Sequence, residues 1–245
     1  MAERRTLILT GASRGIGHAT AQRFTDAGWR VITCSRDVVP AECLRDSDRH
    51  RHIVADLGDG ASVEAFIAEA NAVIGEGPLN ALVNNAGVSP KTDFKERLGC
   101  LNGSLDHWRM VYQLNLFTPL MLARGFAAAL HRGRVAVVNL TSIAGHRVHP
   151  FAGSAYSTSK AALSALTREL AAEFAHLDVR VNAVCPGEIE TAMLSPEYEV
   201  LIPRIPLQRM GVPADVANAV FFLCSDEASY VTGDEIMLTG GQHLF

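Results

Sequence analysis

The sequence has few cysteines, no long apolar run and no basic segment, and each of these absences narrows the choice of protein class. The five cysteines of this 245-residue chain are widely spaced and form no Cys-x-x-Cys pair, so we expect neither a disulfide framework nor a metal site. No stretch approaches about eighteen consecutive apolar residues, and residues 1–10 hold only a short one. We therefore expect no signal peptide, no membrane partner and a cytoplasmic location.

Charge and composition narrow the choice further. The formal net charge is −4, and no run of lysine or arginine accompanies it, so a nucleic-acid partner is not expected. Hydrophobic residues make up 48% of the chain, which is enough to bury a large core. No repeat, low-complexity tract or linker divides the sequence. We expect residues 1–245 to form a single domain.

Apolar segments of strand length alternate with segments of helical periodicity. Strands are predicted at 6–10, 29–35, 52–55, 79–83, 134–140, 178–184 and 235–238, and helices up to about 27 and at 61–74, 105–130, 154–174 and 213–224. This alternation predicts an α/β fold with a parallel sheet covered by helices on both faces. The carboxyl ends of such strands meet at one edge, where ligands bind.

A glycine-rich turn and two polar strand ends fall on that edge. The turn is Gly11-Ala12-Ser13-Arg14-Gly15-Ile16-Gly17, and its glycines and the helix that follows suit a pyrophosphate. Its spacing differs from the best-known dinucleotide fingerprint, so a structural turn is an alternative. Asp56-Leu57 either contacts an adenine or opens a helix, and Asn84-Asn85-Ala86-Gly87 either braces a cofactor or forms an ordinary turn.

Tyr156 and Lys160 form the pattern with the clearest chemistry. In a helix, residues four apart share a face. An ammonium about 4 Å from the phenol would lower the tyrosine pKa by up to about 3 units, which would let Tyr156 transfer protons near neutrality. Ser142, at the end of a predicted strand, falls on the same edge. The alternative is a core tyrosine beside a surface lysine.

Three other features are less specific. Asn115 lies inside the predicted helix 105–130. An asparagine at such a position indicates a local kink, here near Pro119, rather than a catalytic role. Segment 89–104 lacks periodicity and could border a substrate site. Segment 191–210 contains three prolines and is a candidate lid.

Together these motifs resemble the short-chain dehydrogenase/reductase family. The resemblance rests on residues 10–17 and 84–87, Asn115, Ser142, Tyr156-x-x-x-Lys160 and Pro186-Gly187-x-Ile189-x-Thr191, and it spans nearly the whole chain. It implies a Rossmann-type doubly wound parallel sheet of about seven strands. It also implies hydride transfer between a nicotinamide cofactor and a carbonyl or secondary alcohol, and a homo-oligomer, in particular a homotetramer.

The resemblance implies roles for four catalytic residues. Tyr156 would be the general acid in reduction and the base in oxidation. Lys160 would lower the Tyr156 pKa and hold the nicotinamide ribose. Ser142 would orient the substrate oxygen, and Asn115 would fix a water that connects Lys160 to solvent. This last role replaces the interpretation of Asn115 as a kink residue.

The resemblance also implies a set of cofactor-binding residues. Ile189 and Thr191 would brace the nicotinamide carboxamide, and Asn85 the adenosine side. The full expected set is Gly11, Ser13, Arg14, Gly15, Ile16, Gly17, Arg36, Asp56, Leu57, Asn85, Ala86, Gly87, Tyr156, Lys160, Pro186, Gly187, Ile189 and Thr191.

The end of the second predicted strand decides between the two nicotinamide cofactors. Arg36 falls at the strand end, where a cation suits the 2′-phosphate of NADP, and Arg14 could approach the same phosphate. We therefore expect NADP(H). If the strand is one residue longer, Asp37 reaches the ribose and NAD becomes the cofactor.

Within the family the chain looks most like the 3-oxoacyl-carrier-protein reductases. It departs from them in segments 89–104 and 146–151 and at Glu188, so the substrate stays open between an acyl thioester and another ketone. The alternatives are an NAD-dependent alcohol dehydrogenase and a non-catalytic, nucleotide-sensing regulator with the same fold.

Overall fold

Seven parallel strands form one sheet in the order β3-β2-β1-β4-β5-β6-β7. The structure is a computed structural model, and it describes residues 4–37, 49–92, 96–191 and 196–245, apart from the side chains of residues 196 and 197. The strands are β1 (Thr6–Thr10), β2 (Arg30–Ser35), β3 (His50–Val54), β4 (Ala81–Asn84), β5 (Ala136–Leu140), β6 (Arg180–Pro186) and β7 (Glu235–Leu238). The strand order reverses between β1 and β4, which creates a crevice at their carboxyl ends.

Helices cover both faces of this sheet. They are α1 (Gly15–Asp26), α2 (Gly60–Ile74), α3 (Leu105–Tyr112), α4 (Thr118–Gly133), α5 (Ser154–Phe174) and α6 (Pro213–Leu223). Phe24 of α1 and Val216 of α6 belong to the apolar core on one face. Phe66 of α2, Phe126 of α4 and Leu170 of α5 belong to the core on the other. The predicted doubly wound fold is confirmed.

Continuous apolar runs form the central strands because both of their faces are covered. Every residue of β1 is buried. Leu7 and Leu9 point to the core beneath α1 and α6, whereas Ile8 points to the opposite core. All of the strands run parallel, so their carboxyl ends meet along one edge of the sheet, where the site lies.

The prediction of one helix over 105–130 is wrong in its middle. A π-helical turn, Gln113–Phe117, separates α3 from α4. Its buried Asn115 exchanges hydrogen bonds with the backbone of Val88 and donates a third to Ser159, so the helix widens to direct this side chain inward. Pro119 then sits in the first turn of α4, where its missing N–H costs little.

The two irregular segments are only partly described. A 3-10 helix, Pro196–Arg204, follows residues 192–195, which lie outside the described residues. Leu201 and Ile205 in this part of the candidate lid are buried. Residues 93–95 of the other irregular segment also lie outside the described residues. Within the described chain, no helix is both long enough and apolar enough to cross a bilayer.

Candidate active site

A cleft of about 740 Å³ opens at the carboxyl edge of the sheet, along the ends of β1, β2, β4, β5 and β6. All of the predicted cofactor-binding residues line it, and so do Ser142, Tyr156 and Lys160. Asn115 is the exception among the predicted site residues, because it lies behind the cleft wall. A Cβ atom built on Gly87, which is in the wall, would lie 3.3 Å from the Asn115 side-chain oxygen.

The glycine-rich turn requires glycine because its backbone is left-handed at two positions and closely packed at a third. Gly11 and Gly15 have φ values of +69° and +56°, and a Cβ on Gly17 would lie 2.1 Å from the Gly11 carbonyl oxygen. No side chain caps the start of α1, and its first residues, Gly15, Ile16 and Gly17, line the cleft. This bare helix start fits a pyrophosphate.

Asn85 and Thr10 hold the turn in place from the neighbouring strand. The Asn85 side-chain amide donates to the carbonyls of Thr10 and Gly11, at 3.0 and 2.9 Å. The Thr10 hydroxyl oxygen accepts from the backbone N–H groups of Asn85 and Ala86, both at 3.0 Å. The Asn85 side chain therefore supports the cofactor cradle through the protein backbone.

Tyr156, Lys160 and Ser142 converge at the other end of the cleft, as their spacing predicts. Lys160 is 3% exposed, donates to the Leu140 carbonyl at 2.6 Å, and places Nζ 5.8 Å from the centroid of the Tyr156 ring. A side-chain hydrogen bond joins Ser142 to Tyr156. The Ser142 oxygen also accepts from the Ala144 N–H at 3.2 Å, which fixes its position.

The expectation that Lys160 lowers the Tyr156 pKa is not met by the protein groups of this structure. Burial raises the Tyr156 pKa, and the charges of Cys185 and Glu188 raise it further, while the hydrogen bond with Ser142 opposes them. Burial also lowers the Lys160 pKa to about 8. The spacing argument omitted the removal of both groups from water, which disfavours their charged forms.

Asn115 connects three parts of the site without entering the cleft. Its Oδ1 accepts from the Val88 N–H at 2.9 Å, and its Nδ2 donates to the Val88 carbonyl at 3.1 Å and to the Ser159 hydroxyl at 3.0 Å. These bonds fix the wall after β4 against α5, next to Lys160. The water-holding role implied for Asn115 stays a prediction.

A buried pair, His149 and Glu188, lines the same cleft and was not predicted as a pair. The Nε2 atom of His149 lies 2.8 Å from Oε1 of Glu188. The sequence contained two separate signals, the departures from the family pattern in segment 146–151 and at Glu188, but nothing that paired them. The histidine partner of Glu188 lies 39 residues away in the sequence.

Arg14, Arg36 and Asp37 surround the end of the cleft beyond β2. The backbone carbonyl of Asp37 accepts from the Ser35 hydroxyl at 2.8 Å and lies 3.1 Å from Nε2 of His52. These contacts fix the backbone that follows the strand. β2 ends at Ser35, so Arg36 is the first residue beyond it, as the sequence predicts.

One group of potential metal ligands lies in the described part of the chain. Side-chain atoms of His146, Cys185 and Glu235 lie within 4.8 Å of one another. Glu235 contacts His146 Nε2 at 3.0 Å and accepts a hydrogen bond from Ser164 at 2.9 Å and another from Thr141. In this arrangement the carboxylate joins β7 to the loop after β5.

A doubly wound sheet with a glycine cradle beside a Tyr-Ser-Lys cluster defines an NAD(P)-dependent oxidoreductase. A sequence model described as enoyl-(acyl carrier protein) reductase matches residues 11–243. The protein FixR of Bradyrhizobium diazoefficiens is 53% identical over 244 residues, which are 99% of this chain and 88% of that protein. The chain therefore belongs to the short-chain dehydrogenase/reductase family.

Solved structures agree with this assignment. An oxidoreductase of the same family from Brucella ovis, in complex with a partially ordered NAD, is 47% identical and superposes with a TM-score of 0.83, over 96% of this chain and 100% of that chain. A 3-oxoacyl-(acyl-carrier protein) reductase from Brucella melitensis with bound NAD is 31% identical, with a TM-score of 0.89, over 98% of this chain and 91% of that chain.

Proposed function

We propose that the protein uses NADP(H) to interconvert a carbonyl compound and a secondary alcohol, with Tyr156 as the group that gives or takes the proton. The observation that carries this proposal is the convergence of Tyr156, Ser142 and Lys160 in the cleft that also contains the glycine cradle. A structural tyrosine would not need a hydroxyl partner and a buried ammonium at the edge of a nucleotide site.

Each of the three side chains has a distinct part in the proposed reaction. The bound nicotinamide would supply or accept the hydride. Tyr156 would donate a proton to the substrate oxygen during reduction, while Ser142 would hold that oxygen by a hydrogen bond. Lys160 keeps one N–H on the Leu140 carbonyl, which leaves two donors for the ribose hydroxyls of the cofactor.

The preference for NADP(H) rests on Arg36 and Arg14. Both line the cleft, and no ion pair joins either of them to a described residue, so both guanidinium groups are available to a phosphate. Each charge-assisted contact with a 2′-phosphate is worth roughly 1.5–3 kcal/mol. NAD is the alternative, since Asp37 lines the cleft as well and the two Brucella structures contain NAD.

Replacing Tyr156 by phenylalanine tests the proposed proton transfer. The change removes one hydroxyl from a buried ring, so we expect cofactor binding to persist and turnover to fall by at least about a hundredfold, the scale of general acid catalysis. Turnover would be measured by cofactor absorbance with a panel of ketones, acyl thioesters, sugars and steroids. Tyr230→Phe is the matched control, because Tyr230 is fully exposed outside the cleft.

Near-normal turnover in Tyr156→Phe would refute the assignment of this residue. If cofactor addition quenches the tryptophan fluorescence of the wild-type protein, but the protein reduces no member of the panel, the result would instead favour the nucleotide-sensing regulator. The single domain over residues 1–245, the cytoplasmic location and the homotetramer stay predictions.

A further inference from the structure

Glu188 presents a carboxylate to the cleft beside Tyr156. It is only 5% exposed, it lines the cleft together with His149, and its charge acts on Tyr156. Burying a carboxylate is unfavourable unless hydrogen bonds compensate for the lost water. The partners of this carboxylate therefore indicate what else it can bind.

The hydrogen bonds of His149 determine which groups are donors. Its Nδ1 atom accepts from the backbone N–H groups of Phe151 and Ala152, at 3.2 and 3.1 Å. A nitrogen that accepts from two N–H groups carries no proton, so the proton of the neutral ring is on Nε2. His149 thus donates from Nε2 to Oε1 of Glu188, and Glu188 is the acceptor.

The second partner of Glu188 also binds Oε1. Nε2 of Gln242 donates to this oxygen at 3.4 Å. A carboxylate offers about four acceptor positions on its two oxygens, and the described residues fill only two of them. Oε2 accepts no hydrogen bond from these residues, so it remains available to a donor in the cleft.

We propose that Glu188 accepts a hydrogen bond from a substrate hydroxyl near the reacting carbon, and that the substrate is a small polyhydroxylated ketone or alcohol. This inference rests on the proposed oxidoreductase function. A hydroxyl donor complements a carboxylate that has unfilled acceptor positions. The apolar chain of an acyl thioester would instead cover the carboxylate without donating a hydrogen bond to it. This loss would weaken the binding of the thioester by several-fold or more.

The remaining lining residues favour a hydroxyl over an ammonium group. Lys91 lines the same cleft, with its Nζ 5.5 Å from the centroid of the Tyr198 ring, so the lining already includes a cation. Phe151 and Tyr198 pack at 4.7 Å between ring centroids next to His149. Of these two rings Tyr198 lines the cleft, and it provides apolar surface for the C–H groups of a small polyol.

A matched pair of ketones tests the inference. The probes are 1-hydroxy-2-butanone and 2-butanone, which differ by one hydroxyl beside the carbonyl. We expect wild-type kcat/KM to favour the hydroxyketone by at least about tenfold, because a site built around a hydroxyl rejects the analogue that lacks it. In Glu188→Gln, whose amide replaces one carboxylate oxygen, the ratio should fall below about threefold. Glu188→Asp keeps the charge and should retain part of the preference.

Glu190→Gln is the matched control for this experiment. It removes a carboxylate two positions away that is exposed and lies outside the cleft lining, so the ratio of the two ketones should not change. Circular dichroism melting of each variant verifies folding. An unchanged ratio in folded Glu188→Gln, or a wild-type ratio near one, would overturn the inference.

Calorimetry separates failure of this inference from failure of the proposed function. Each ketone is titrated into wild-type protein saturated with oxidised cofactor, where no reduction can occur. Selective binding of the hydroxyketone that is lost in Glu188→Gln, without turnover when reduced cofactor is supplied, would support the site and reject the proposed reaction. Turnover of both ketones with equal efficiency would support the reaction and reject the site. Absence of binding and turnover for both ketones would overturn the inference as well.

Discussion

Replacing Lys160 by methionine should stabilise the protein in the absence of cofactor. Lys160 is a catalytic candidate, but it is 3% exposed, and burial lowers its pKa from 10.5 to about 8. This difference corresponds to about 3 kcal/mol of unfavourable free energy at neutral pH, where the side chain is charged in both the folded and unfolded states. Methionine has a similar length and no charge.

The lost hydrogen bond offsets part of this gain. Lys160 donates to the Leu140 carbonyl at 2.6 Å, and methionine would leave that carbonyl without this donor. The loss costs about 1 to 2 kcal/mol. The expected net gain is therefore about 2 kcal/mol at pH 7, or about 4 to 8 °C in Tm for a chain of this size.

The pH dependence gives the prediction a second, independent readout. Between pH 8 and 10.5 the unfolded chain keeps the lysine proton and the folded protein loses it, so wild-type stability rises with pH across this interval. By about pH 9.5 the rise amounts to about 2 kcal/mol, and the advantage of Lys160→Met should disappear. Below pH 8 the difference between the two proteins should be constant.

Melting curves at pH 7 and pH 9.5 measure both effects. Arg168→Met is the control, since it removes an exposed cation from the same helix, and it should change stability by less than about 0.5 kcal/mol. The reasoning is refuted if Lys160→Met is less stable than wild type at pH 7, or if the difference does not change with pH.

The remaining predictions concern the cofactor and the assembly. Wild-type kcat/KM should favour NADPH over NADH by at least about a hundredfold, and Arg36→Ala should reduce that ratio by tenfold or more, because one charge-assisted phosphate contact is lost. A ratio that stays the same in Arg36→Ala would show that Arg36 does not hold the phosphate, and wild-type preference for NADH would favour Asp37. Light scattering at micromolar concentration should give the mass of a tetramer, and a monomer mass would contradict the predicted assembly.

The sheet could be predicted because its central strands, β1, β4 and β5, are buried on both faces and form continuous apolar runs. β1 and β7 begin and end where the sequence indicates, and the other strands start within two residues of the predicted positions. Motifs that follow strands reach the same edge for the same reason. The position of Ser142 in the cleft followed from its place after a strand, without knowledge of any contact.

Contacts between distant residues could not be predicted in this way. Asn115 interrupts a helix because its partners, Val88 and Ser159, lie 27 and 44 residues away in the sequence. Periodicity detects the apolar face of this helix but not a buried amide that widens one turn. The pairing of His149 with Glu188 was missed for the same reason.

Lys160 and Glu188 place opposite charges near Tyr156, yet only the carboxylate acts clearly on its proton. The Lys160 ammonium binds the Leu140 carbonyl, and its own charge is disfavoured by burial. Burial and the charge of Glu188 both raise the Tyr156 pKa, so the phenol is protonated near neutrality. In the proposed reduction Tyr156 would therefore hold the proton to be donated, but its raised pKa makes it a weaker acid than a free phenol. Alcohol oxidation needs the ionised phenol, and Ser142 is the protein group whose hydrogen bond favours that form.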